Sequence, residues 1–222
     1  MYLFNLPYTT VVNRVIPKNA FDEYANTKQR RLFTDQVSRV TWTHKISPDT
    51  VNLEAREINE IQVFEIELKF REDIKTILDI IDKAIPYHII FIAAFNGEAY
   101  ISLSVKHPHP GDENHTVIDW TFRSDWFSLG EKKYAMQLKR SIDAVFHDLC
   151  IQISGDVNFS NKPVMELVVY KKNVAALEKE IYDINLRMAN CRQFNEKVKL
   201  NLLLLEKQAT LADIRIGRSA NN

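Results

Sequence analysis

The chain has 222 residues, of which 45% are hydrophobic and 26% charged. That length holds one good core with room for an appendage, and the composition excludes a disordered chain. Its 29 basic and 29 acidic residues cancel, which excludes an all-over electrostatic grip on nucleic acid and leaves room only for a local patch.

In chain order, a short strand is expected at Thr10–Ile16 and a brief helix at Lys18–Tyr24. A longer helix is expected over Lys28–His44, with Leu32, Phe33, Val37 and Val40 on its inner face. Ser47-Pro48 breaks the chain, and Asp49–Asn59 reads as a polar connection. Ile61–Lys69 alternates as a strand. Gln62, Phe64, Ile66 and Leu68 share one face, and Ile61, Val63, Glu65, Glu67 and Lys69 share the other. A helix follows from about Arg71 to Ala84, its stripe made by Ile74, Ile77, Leu78, Ile81 and Ile85. Pro86 ends it. His88–Phe95 is apolar enough for a strand buried on both faces. Asn96-Gly97 is a two-residue hairpin signal, because both turn residues need positive φ. The return strand, Tyr100–Lys106, reads as nearer a sheet edge.

His107–His115 reads as a loop, Thr116–Phe122 as a strand, and Glu131–Leu149 as an amphipathic helix. Val164–Tyr170 reads as a final strand. From Val174 the apolar residues fall into heptads without Gly or Pro. One position repeats as Val174, Ile181, Met188, Asn195 and Leu202, and its companion as Leu177, Ile184, Cys191, Val198 and Leu205. The fold class is therefore α+β: a mixed sheet with packed helices over 1–171, a long coiled-coil helix over 173–218, and a tail at 219–222. The helix is expected to pair with a second copy or a partner helix, or to bend into an antiparallel hairpin near Asn195. Asn195 is the kind of polar residue that fixes register in such a seam.

No apolar run reaches the roughly 18 to 20 residues that span a bilayer, and no secretory signal opens the chain. A cytoplasmic protein without a membrane anchor is expected. Cys150 and Cys191 are expected as reduced thiols. Residues 171–222 carry ten basic and six acidic side chains, a net +4, so residues 1–170 carry −4.

Candidate chemistry is sparse. Glu65, Glu67 and Lys69 share a strand face, as an acid and a lysine do in metal-dependent nucleases, and Asp119 could supply the second acid if its strand lies adjacent. A divalent metal would belong only to that reading. A solvated strand end with alternating charges explains the same residues. His107, His109 and His115 could hold a metal, as could His147 with Cys150 one turn on, but core or loop roles explain them better. Trp120, Phe122, Trp126 and Phe127, interleaved with Arg123 and Asp125, could stack bases or close a core. Arg187, Arg192, Lys197, Lys199 and Lys207 alternate with Glu180 and Glu196, which suits pairing between helices better than a phosphate track.

Three segments carry a family resemblance: Val11–Phe21, Glu60–Lys69 with Ile81–Phe91, and Arg192–Asn201. Through them the chain resembles the prokaryotic domain-of-unknown-function family DUF4391 over almost its full length. The resemblance implies a bacterial or archaeal cytoplasmic protein whose neighbours include helicases and DNA methyltransferases of restriction or phage-defence type. It supplies no catalytic residue. The leading expectation is a non-catalytic interaction subunit working through its heptad helix. The alternatives are the nuclease and a nucleic-acid-binding module.

Overall fold

A computed structural model describes residues 3–131 and 133–216, with the side chains of 112–115 left aside. The expected tail at 219–222 lies outside the described residues. The chain divides into two compact units, Met1–Asn161 and Lys162–Asn222.

The first unit is built on a seven-stranded mixed sheet. Its strands are β1 (Val11–Ile16), β2 (Val37–Ile46), β3 (Ile61–Leu68), β4 (His88–Phe95), β5 (Glu98–His109), β6 (Asp112–Arg123) and β7 (Phe127–Ser128). The order runs β1-β2-β3-β4-β5-β6, and β7 pairs with the start of β5. Among the described strands, only β3 and β4 pair in parallel. The helices are α1 (Thr27–Gln36), α2 (Pro48–Val51), α3 (Lys75–Ala84) and α4 (Ile142–Ser154).

The strand, helix and hairpin read at 61–106 form the centre of this sheet. Phe64, Ile66 and Leu68 point into a core with Ile77, Leu78 and Ile81 of α3. On the other face of β3, Ile61 and Val63 are buried while Glu65 and Glu67 are half-exposed, as the alternation predicts. A parallel pair needs a crossover, and α3 supplies it. The turn residues Asn96 and Gly97 have φ of 48° and 83°, which is the hairpin geometry expected of Asn-Gly. His88, Ile90 and Ile92 point to the opposite face. There the His88 ring meets Phe146 of α4, centroids 4.8 Å apart and edge-on.

Several expected elements are corrected. The helix read over Lys28–His44 ends at Gln36, and Val37–Ile46 is a strand. Its alternating Val, Thr and Trp residues favour the pleated sheet, and no Gly or Pro marks the switch. Phe33, Val37 and Val40 still reach the same core. β5 is interior, flanked by β4 on one side and by β6 and β7 on the other. It runs on to His109, so the expected loop at 107–115 is the tip of a long hairpin. The expected helix at Glu131 starts only at Ile142, capped by Ser141, whose side chain accepts from the Ala144 N–H at 3.2 Å. Gly155 stops it at φ 74°, a conformation glycine adopts without strain.

The second unit is helical from its start. The expected strand at Val164–Tyr170 is the first part of α5 (Val164–Asn190), a helix of 27 residues. Pro163 before its first residue and Glu166 in its first turn are helix-start signals. The expected unbroken helix is interrupted at Cys191–Gln193, and α6 (Phe194–Ile216) returns alongside α5 as an αα-hairpin. Glu180 meets Lys207 at 2.7 Å and Glu178 meets Arg215 at 2.6 Å across it. The antiparallel alternative near Asn195 is the arrangement observed.

Candidate functional site

The acid–lysine strand face does not assemble with Asp119. Glu65 is half-buried; burial raises its pKa, and Glu67 adds to the shift. Glu67 leans on Arg39 of β2 at 3.7 Å. Lys69 turns away from both: its Nζ donates to the Thr34 carbonyl at 2.7 Å, and its backbone N–H donates to the Gln36 carbonyl at 2.9 Å. It therefore caps the last turn of α1, where free carbonyls favour a cation. Asp119 lies on β6, separated from β3 by β4 and β5. Three strand spacings amount to about 14 Å, too far to share one metal ion with Glu67. The pairing register slips between Val105–Trp120 and Lys106–Ile118, so Asp119 is the extra residue of a bulge. Its Oδ2 lies 2.7 Å from Nδ1 of His107.

The other candidates are dispersed as well. His115's side chain lies outside the described residues, and His109 Nδ1 accepts from the Gly111 N–H at the hairpin tip, 3.1 Å away. Cys150 is fully buried, which pushes its thiol pKa well up. It suits packing better than ligation. Among the described residues, no group of three His, Cys, Asp or Glu side chains could hold a metal ion. Phe122 and Phe127 are core residues. Trp126 packs edge-on to Tyr100 at 5.0 Å and lies 4.8 Å beneath Arg71. Arg123 covers the other ring of that pair at 4.3 Å and reaches Asp73 at 2.6 Å. These rings and guanidinium groups are already stacked on one another, which leaves them poorly placed to sandwich a base.

Two polar clusters escape a reading of the sequence by pattern. The first is Lys106 of β5 with Asp82 of α3, a buried ion pair. Its signal is a charged residue on each of two apolar faces, beside Ile81 and after Val105. The second is Asp143, in the first turn of α4. Its carboxylate accepts from the backbone N–H groups of Arg56, Glu57 and Ile58 at 2.9–3.0 Å. That clasp fixes the loop leading into β3.

In the helical unit the heptad positions split. Val174, Leu177, Ile181, Ile184 and Met188 of α5 are half-buried or buried, and Cys191 follows at the turn. Leu200, Leu203, Leu204, Leu211 and Ile214 are the buried or half-buried apolar residues of α6, which packs alongside α5. The heptad residues of α6 lie elsewhere. Asn195 is exposed, as are Val198 (44%), Leu202 (63%) and Leu205 (55%). Ala209, Ala212 and Ile216 continue that exposed line at spacings of four, three and four. Residues 198 and 200 lie about 200° apart on a helical wheel, so α6 is apolar on two opposed faces.

The described residues thus comprise an α+β unit on a mixed sheet and a helical hairpin with an apolar line left in solvent. No helix among them is long and apolar enough to cross a membrane. The chain belongs to the family described as Domain of unknown function (DUF4391), whose model matches residues 4–211. No curated protein and no solved structure matches it.

Proposed function

We propose that this protein is a non-catalytic interaction subunit that self-associates through the outer face of α6. The observation that carries the reading is the line Val198, Leu202, Leu205, Ala209, Ala212 and Ile216, exposed at seam spacing. Scattered exposed apolar residues need no explanation, but a continuous stripe does. Alternating steps of three and four residues are what a second helix can pack against. The stripe is directed at another copy because a two-fold pairing of α6 brings the same residues together from both sides. Asn195 lies at one end of it and would favour one register.

In this reading the globular unit docks a helicase or DNA methyltransferase of a prokaryotic DNA-processing or phage-defence system. Those partners come from what the family resemblance implies. The reading requires no metal or cofactor. Sedimentation of the full chain at micromolar concentration tests the self-association. A dimer that becomes monomeric in Leu202→Glu/Leu205→Glu, with helicity unchanged by circular dichroism, supports it. A wild-type monomer overturns it.

A further inference from the structure

The sheet ends at β6, whose outer side pairs with no strand among the described residues. The two edges of the sheet differ in length. β1 is six residues long, and Asn13 has φ 50° where its register shifts. Such irregularities blunt an edge. β6 is twelve residues long; its pairing with β5 also slips, at the Asp119 bulge and near its start, but it offers twice the length of β1, and a free edge of that length is a template for another strand.

A groove of about 680 Å³ runs beside this edge. One wall is α3, which presents Lys75, Asp79 and Lys83 one turn apart. Thr116, Val117, Ile118 and Thr121 of β6 form the other side. Val117 also lines it, although its side chain faces the opposite way from its neighbours in the pleat. Lys75 to Lys83 spans about 12 Å along the helix axis, and residues i and i+4 of an extended chain are about 13 Å apart on one face. Neither lysine makes an ion pair among the described residues. Asp79 is half-buried between them; burial raises its pKa, and the charges of Lys75 and Lys83 oppose that shift, so one carboxylate stands against two ammonium groups.

We propose that the β6 edge and this wall of α3 bind an acidic peptide in extended conformation. The peptide adds a strand to β6 and places carboxylates at i and i+4 against Lys83 and Lys75. Main-chain hydrogen bonds to the edge supply affinity, and the two lysines supply selectivity for acidic side chains. This site is independent of the α6 stripe, and either can fail without the other.

The test uses the full chain and a fluorescein-labelled peptide, Thr-Glu-Val-Thr-Val-Glu-Thr, followed by fluorescence anisotropy. Saturable binding is expected, weakened about tenfold or more by Lys75→Glu/Lys83→Glu. A second probe, methylated on alternate backbone nitrogens, blocks strand pairing without touching the protein and is expected to bind equally poorly. A probe with lysine in place of both glutamates is expected not to bind. Absence of saturation overturns the proposal. Loss with the lysine variant but not with methylation shows a mere charged patch and overturns strand addition. Loss with methylation alone overturns the assignment to this groove.

Discussion

Lys106 and Asp82 meet in the interior, Nζ to Oδ1 at 2.7 Å, with the two side chains only 1% and 2% exposed. The ammonium group also donates to the Asp82 and Ile85 carbonyls at 2.6 and 2.7 Å, so its three hydrogens have three acceptors. Two of those acceptors are carbonyls at the C-terminal end of α3, where a cation is favoured. Burial drives the lysine pKa down and the aspartate pKa up, and each charge opposes the shift of the other.

Breaking such a pair leaves a buried charge alone. Lys106→Met is expected to cost about 3–5 kcal/mol. Adding Asp82→Asn is expected to recover part of that loss, because the stranded carboxylate is then gone. Urea denaturation of both singles and the double measures this. Additive losses would show that the two side chains are not coupled.

His88 makes the fold sensitive to acid. Burial is the main cause that brings its pKa down to about 4, with the charge of Lys106 adding to it and Asp143 opposing. The folded imidazole therefore binds a proton less readily than the unfolded one. As pH falls, the unfolded chain is protonated first, so stability is lost between about 6.5 and about 4. The full gap is worth about 3 kcal/mol. His44 and His147 are lowered by burial as well and act in the same direction. Burial raises Glu65 and Asp79 instead. Those carboxylates bind protons more readily when folded, so they oppose the loss as pH falls. Urea midpoints across the window are expected to fall with pH, and less steeply in His88→Gln. An unchanged slope in that variant would remove His88 as a source.

Asp143→Ala removes one carboxylate and strands three backbone N–H groups at 56–58. Part of that site is open to water, so the expected cost is about 2–3 kcal/mol rather than the sum of three charged bonds. A thermal melt reads the loss. Amide hydrogen exchange at Ile58 is expected to rise with it. Protection unchanged at Ile58 would contradict the clasp.

The two faces of α6 are expected to answer differently to the same change. Leu200 is 4% exposed and Leu202 is 63% exposed. Leu200→Ala is expected to destabilise the hairpin by about 2–4 kcal/mol, whereas Leu202→Ala stays within about 0.5 kcal/mol in a monomer. Equal effects in circular dichroism melts of the chain diluted to a monomer would contradict the burial of Leu200 and the exposure of Leu202.

The centre of the sheet was legible because its signals are local and agree. Ile61–Leu68 alternates, Pro86 stops a striped helix, and Asn96-Gly97 demands a tight turn. The misread elements lack punctuation. Gln36 passes directly from helix to strand with neither Gly nor Pro. Val164–Tyr170 is rich in strand-favouring residues, yet it joins α5, where tertiary context and continuity outweigh propensity. Ser141 was a helix-start signal hidden inside a stripe that began too early. The heptads correctly marked helix, but their period says nothing of chain reversal. The turn at Cys191–Gln193 contains no glycine or proline, and it sends half of one stripe inward and half outward. Asp119 could not be excluded from the neighbourhood of Glu67 until strand order was known, because strand order is not a local property.

The three-residue reversal at Cys191–Gln193 governs how this protein can be dissected. A chain cut after Asn190 sheds the outer line of α6 but uncovers Ile181, Ile184 and Met188, exchanging one sticky surface for another. Capture of a binding partner by such a fragment would report the scar rather than the grip. A deletion that removes the hairpin as a whole, beginning at Lys162, leaves no such artefact within the helices themselves.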